Sequence, residues 1–283
     1  MASLNLISTS TSTSTSGRLA MVHPRDALIE FDAGPHKYTC MGEGNYMSVT
    51  TWLHSHFPHF DADAIIAKMN LTNPACKYYG QTPEQIKAGW DQNRDEAAAA
   101  GTAMHKAIED YFLGDAPHPP LADADSASAS ANASASASAS ANGVSPHFMK
   151  FLAAHPLLKP YRCEWMIFDE DVKIAGSVDF VAENDDGTLT IYDWKRCKKI
   201  KKSNSFGGSS FTECISHLPD TNYWHYALQL NIYKTILERK YGKIIKKMFL
   251  VGLHPNLPNY QVHAVPELLQ EMADLFALRR AQL

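Results

Sequence analysis

The sequence predicts an α/β protein with a mixed central β-sheet flanked by helices, and three observations predict it. From residue 92 onward the elements read helix, three strands, helix, strand. The strands centre on a hairpin over residues 173–195, where two runs rich in Val, Ile, Phe, Thr and Tyr flank a turn of Asn, Asp and Gly at 183–187. The chain has 283 residues and is 45% hydrophobic, enough to bury the core such a sheet needs.

Composition narrows the function classes. No apolar run approaches the roughly 18 residues of a spanning helix, so a soluble chain with no membrane partner is expected. Five cysteines, odd in number and without C-x-x-C spacing, argue against a disulfide framework and for a reducing, intracellular compartment. The net charge of -4 excludes a globally basic nucleic-acid coat and leaves room only for a local basic groove.

In chain order, residues 1–26 read as a disordered tail, because residues 1–17 are dominated by Ser and Thr and cannot build a core. One domain is expected over 27–283. Residues 27–46 suggest a small hairpin with Gly and Pro at its turns. Ser48 then reads as the N-cap of a helix reaching towards His56. The hydroxyls of Ser48, Thr50 and Thr51 at that terminus can hold a phosphate or simply cap the helix. His54, His56 and His59 fit no standard zinc spacing and are read as surface and core histidines.

Residues 61–69 and 83–112 are helical, the second stretch forming one or two helices. His105 and Glu109, four residues apart, share a face. Gly101, one turn before His105, costs about 1 kcal/mol in a helix relative to Ala, which suggests a reason such as close backbone approach. Residues 122–143 are an Ala-Ser repeat with no large apolar residue, read as a surface insertion. A short helix follows Ser145 and Pro146, and a strand over 161–168 carries Glu164. Beyond the central hairpin, residues 222–241 read as an amphipathic helix with Gln229 and Tyr233 one turn apart. Two strands, at 246–253 and 260–265, and a helix at 266–280 close the chain.

The chemistry sits on the hairpin. Pairing symmetric about Asp186 sets Asp179 opposite Asp193, and facing positions hold their Cβ atoms about 4.5–5.5 Å apart. Asp193 and Lys195 share a face while Trp194 points the other way. Two such carboxylates repel unless a cation lies between them, and hard oxygen ligands favour Mg²⁺ or Mn²⁺. Lys195 could then activate a water or stabilise the developing charge, which describes phosphodiester cleavage. A solvated strand face with Lys195 as an ion-pair partner would give the same D-x-K. After Lys195 come Arg196, Lys198, Lys199, Lys201 and Lys202, a run that is either a solvated face or a loop guiding a nucleic-acid strand.

Gly176-Ser-Val-Asp179 ahead of Asp193-Trp-Lys195 resembles the PD-(D/E)XK nuclease superfamily. Gly101-Thr-Ala-Met-His105 upstream and Gln229-Leu-Asn-Ile-Tyr233 downstream look like the two further motifs of its RecB-type exonuclease branch. The stretch FDAGPHKYTC is similar to the N-terminal part of relatives in large DNA viruses and eukaryotes, where this region helps to enclose the DNA strand. The resemblance implies a restriction-endonuclease-like core and a metal held by Asp179, Asp193 and the Trp194 carbonyl. His105 would complete that site, Glu164 would lie near the metal or its waters, and Lys195 would position the water. It also implies that Gln229 contacts substrate or the catalytic lysine, that Tyr233 contacts DNA, and that Arg196, Lys198 and Lys199 meet phosphates. Some relatives carry an iron-sulfur cluster on four cysteines, three of them closely spaced near the C-terminus; this sequence has no such group, and no cluster is expected. The implied function is a Mg²⁺- or Mn²⁺-dependent exonuclease on single-stranded or end-exposed DNA in replication, repair or recombination, working beside proteins of those processes. A structure-specific endonuclease, an RNA-directed nuclease and a catalytically silent DNA-binding module are the alternatives.

Overall fold

The computed structural model describes residues 22–114, 144–204 and 207–283. Most of the expected tail and all of the Ala-Ser repeat lie outside the described residues. The last residues assigned to the tail belong to the fold instead. His23 caps a 3-10 helix, Pro24–Leu28, whose Asp26 accepts hydrogen bonds from Trp165 Nε1 at 3.0 Å and Arg162 at 2.8 Å.

Strands β1 (Ile29–Asp32) and β2 (Lys37–Cys40) form the expected hairpin. A two-residue strand β3 (Met47–Ser48) leads into α1 (Val49–His54), which ends two residues earlier than His56. Helix α2 (Ala62–Ile66) is a short piece of the expected 61–69 segment. Residues 83–112 become one helix, α3 (Pro83–Leu113), opened by a Thr82/Gln85 capping box with Pro83 in the first turn. Then come α4 (Pro146–Ala154), β4 (Lys159–Asp169), β5 (Ile174–Glu183), β6 (Leu189–Lys195), α5 (Asn222–Tyr241), β7 (Ile245–Gly252), β8 (Gln261–Ala264) and α6 (Leu269–Ala281).

The main sheet is mixed. β3 runs parallel to β5 and β6 parallel to β7, while β4/β5, β5/β6 and β7/β8 are antiparallel. Helices α1, α5 and α6 share one core cluster with one face of the sheet, and the second half of α3 with α4 covers the other. The expectation of an amphipathic α5 fails for this reason. Between the sheet and its neighbouring helices α5 buries residues on all sides, including Gln229, Asn231 and Lys234. A helix enclosed on all sides has no polar stripe to display.

The hairpin register centres on Asp186 as expected, with Phe180 facing Tyr192 and Glu183 facing Leu189. Gly187, at φ 76°, takes the left-handed turn position. The far edge of β5 carries β3 at Ile174–Ala175 and β6 only from Phe180 onward. Meanwhile β6 stays paired with β7 all the way to Lys195. The two arms of the hairpin therefore fork after Phe180 and Tyr192, and Asp179 and Asp193 stand at the fork.

Candidate active site

Three elements converge on that fork. Met104, Ile108 and Phe112 recur at four-residue steps and dock the second half of α3 against the sheet, which turns His105 towards β4–β6. On β5, Val178 and Val181 both pack on the α5 side while Phe180 and Ala182 pack on the α3 side, so the alternation slips by one residue at Asp179. On β4, Glu164 falls opposite Asp179, between the pairs Cys163/Phe180 and Trp165/Val178. Glu164 lies in the left-handed region at φ 43°, an outlier for a non-glycine residue within a strand. These paired irregularities bring Glu164 and Asp179 to His105.

One ligand-capable atom from each of His105, Glu164 and Asp179 lies within 4.8 Å of the others. His105 Nδ1 is 3.4 Å from Glu164 Oε1 and 3.6 Å from Asp179 Oδ2, and its Nε2 is 2.9 Å from the Trp194 carbonyl oxygen. Ser177 donates to Glu164 Oε2 at 3.1 Å. Sequence reasoning passed over Ser177, although its two-residue spacing from Asp179 was a readable sign that both share a face.

Asp193 does not join this trio. It is 1% exposed, and Lys195 Nζ stands 2.7 Å from its Oδ2, yet neither carboxylate oxygen receives a well-directed hydrogen bond. Burial raises the Asp193 pKa against the opposing pull of Lys195. Burial and then the nearby Asp193 charge raise that of Asp179. Burial alone would lower His105, but the Asp179 and Glu164 carboxylates overcome it and hold the imidazole up at about 9. Lys195 behaves likewise: burial opposes its charge, and Asp193 and Asp179 raise it. Carboxylates that resist ionisation, orphaned buried oxygens and a histidine forced to carry a proton all indicate a site short of positive charge. A hard divalent cation fits that donor set of two or three carboxylates, an imidazole and a carbonyl.

The remaining expected residues divide. Gln229 and Tyr233 bond to each other, Gln229 Nε2 donating to the Tyr233 hydroxyl at 3.0 Å, and Gln229 makes no hydrogen bond to Lys195 among the described contacts. Tyr233 is 3% exposed and packs against Gly176, so its ring fills core and offers no surface to DNA. Ser48, Thr50 and Thr51 spend their hydroxyls on one another and on the cap, Ser48 Oγ accepting from Thr51 N at 3.0 Å. That is the geometry of a capped helix terminus. Lys198 and Lys199 are exposed and Arg196 is half-buried, all just beyond Lys195.

The mixed sheet flanked by helices has the restriction-endonuclease-like architecture, and with this site it defines a hydrolytic nuclease. The family model of the PD-(D/E)XK nuclease superfamily matches residues 72–282, and the chain belongs to that superfamily. The matched span contains His105, Glu164, Asp179, Asp193, Lys195, Gln229 and Tyr233 and excludes Ser48 to Thr51. Members of the superfamily generally depend on a divalent metal and act on DNA. Among solved structures, the chain is similar to one from Eubacterium rectale described as a candidate exonuclease, at 14% identity and a TM-score of 0.28. That match covers 48% of this chain and 45% of the other, so it spans under half of either. No curated protein matches the chain. No helix among the described residues is long and apolar enough to cross a membrane.

Proposed function

We propose that this protein is a Mg²⁺- or Mn²⁺-dependent deoxyribonuclease of the RecB-type branch, shortening single-stranded or end-exposed DNA during replication, repair or recombination. The observation that carries the reading is the gathering of His105, Glu164 and Asp179 ligand atoms within 4.8 Å, beside the buried Asp193 and the half-buried Lys195.

Asp179, Glu164, His105, Asp193 and the Trp194 carbonyl would hold the ion. Bound there, it would supply Lewis-acid charge at the scissile phosphate and a water of lowered pKa. The protein's own groups do the rest. Lys195 keeps its proton at neutral pH because Asp193 and Asp179 raise its pKa, so it acts as a donor that orients the water and meets developing negative charge rather than as a base. Ser177 fixes the Glu164 carboxylate, and the Trp194 N–H fixes that of Asp179. Arg196, Lys198 and Lys199 lie where a phosphate backbone leaving the site would meet cations.

End-labelled single-stranded, duplex and closed circular DNA, with RNA of the same sequence, tests the reading in Mg²⁺, Mn²⁺ or EDTA, comparing wild type with Asp193→Ala. Metal-dependent shortening of linear DNA, lost in the variant and absent on circles, is expected. Cutting of circles would make it an endonuclease, equal digestion of RNA would remove the DNA assignment, and binding without cleavage would sink the catalytic one.

A further inference from the structure

The first two turns of α5 touch both halves of the site through residues outside every motif described above. Asn222 grips the backbone of the basic segment twice: its Oδ1 accepts from Lys201 N at 2.8 Å and its Nδ2 donates to the Lys199 carbonyl at 2.8 Å. Trp224 Nε1 donates to the Lys202 carbonyl at 3.1 Å, and Tyr223 N to the Lys201 carbonyl at 3.3 Å. The Lys202 ammonium also lies 4.5 Å from the Tyr223 ring centroid. One turn further along α5, the Tyr226 ring sits under Lys195, with Nζ 4.6 Å from its centroid. Gln229, expected to contact substrate or Lys195, donates to the Tyr233 hydroxyl.

A lysine has four rotatable bonds and no fixed fork, so a single ion pair leaves its head loosely placed. Asp193 pulls Nζ from one side without a well-directed hydrogen bond, and the Tyr226 ring face limits it from another. A run of cations on a free loop would likewise lose ordering entropy on meeting a strand, and pegging its backbone beforehand removes that loss. Asn222 matches both a backbone N–H and a backbone carbonyl, which suits it to the peg.

We propose that α5 carries two positioning residues with separate tasks: Asn222 holds segment 198–202 as a pre-set cationic strap for a phosphate backbone, and Tyr226 holds Lys195 for the reaction. This rests on the nuclease reading above and adds how its binding and chemical parts are kept in place.

The test separates binding from turnover. Binding of a fluorescein-labelled twenty-residue oligothymidylate is measured by anisotropy in EDTA over a range of salt, and cleavage kinetics are measured in Mg²⁺ or Mn²⁺. Asn222→Ala is expected to raise Kd and KM about five- to tenfold and to flatten the salt dependence, with turnover at saturation retained. Tyr226→Leu is expected to lower kcat about tenfold with Kd unchanged, whereas Tyr226→Phe, which keeps the ring, stays within about twofold of wild type. Melting temperatures exclude unfolding; if Tyr226→Leu is unstable, Tyr226→Met replaces it. Equal shifts of Kd and kcat in both variants, or a loss in Tyr226→Phe as large as in Tyr226→Leu, would overturn the proposal while leaving a cleaving wild type as a nuclease. A wild type that neither binds nor cleaves would overturn both.

Discussion

Asp179 Oδ2 accepts a 2.9 Å hydrogen bond from the backbone N–H of Trp194, across the fork where β5 and β6 part. The carboxylate thus takes the place of the strand neighbour that β6 lacks at that point, and the same group faces His105. Its two roles can be separated. Asn keeps an oxygen for the Trp194 N–H and removes the charge that Asp193 repels. Asp179→Asn should therefore be at least as stable as wild type in EDTA, while activity falls at least about a hundredfold. Asp179→Ala leaves a backbone donor unpaired and should lose about 1–3 kcal/mol as well. Thermal melts in EDTA beside cleavage assays check this, and equal melting of the two variants would disprove the bridging role.

Gly176 lies close against the Tyr233 side chain of α5. A Cβ there would lie 2.9 Å from Tyr233 Cε1 and 3.1 Å from Val49 Cγ2, and both neighbours are packed in the core. Gly176→Ala must push the helix or the Tyr233 ring outward, which typically costs about 1–3 kcal/mol. For a domain of this size the melting temperature should fall by roughly 2–4 °C per kcal/mol. An unchanged melting temperature would mean that α5 moves freely against the sheet.

Glu164 holds a backbone conformation that its own side chain does not favour. Asn visits the left-handed region readily and a β-branched residue does not. Glu164→Asn should keep stability within about 1 kcal/mol, and Glu164→Val should lose about 2 kcal/mol. Both remove the carboxylate beside His105, so both should lower metal-dependent activity at least about tenfold. If Asn and Val melt alike, the strand irregularity is not set at this residue.

The hairpin explains why so much could be read from the sequence. Its turn chemistry at Asn184–Gly187 and its period-two arms are local signals, and together they fix the register centred on Asp186, whose last pair, Phe180 with Tyr192, leaves Asp179 and Asp193 at the fork. The helix cap at Ser48 and the helix start at Ser145 and Pro146 were legible for the same reason. What failed depended on tertiary context. The face of Glu164 turns on a left-handed residue that no propensity for Glu announces. The burial of Tyr233 follows from helices packing on several sides of α5, which a one-dimensional pattern does not carry. The ligand trio forms because the alternation slips at Asp179, so that it turns to His105 while Asp193 remains with Lys195.

Glu170 links the N-terminal segment to the turn between β4 and β5. Arg25 reaches it through two nitrogens, at 2.6 and 3.4 Å, while stacking on Phe168 with its guanidinium 4.0 Å from the ring centroid. Burial alone would raise the Glu170 pKa, but the Arg25 hydrogen bonds outweigh it and hold the carboxyl at about 2 against an ordinary 4.5. A depressed folded value means that the ionised form is the one stabilised by folding. Its contribution is fully present above about 4.5 and disappears as pH falls through about 2. Because the side chain is 31% exposed, solvent screening limits it to about 1 kcal/mol. Glu170→Gln should therefore melt below wild type at pH 6, and the gap should narrow between about pH 4.5 and 2 as wild type loses the pair. A gap that stays constant down to pH 2 would assign the stabilisation to packing of Arg25 on Phe168 instead of to the charge of Glu170.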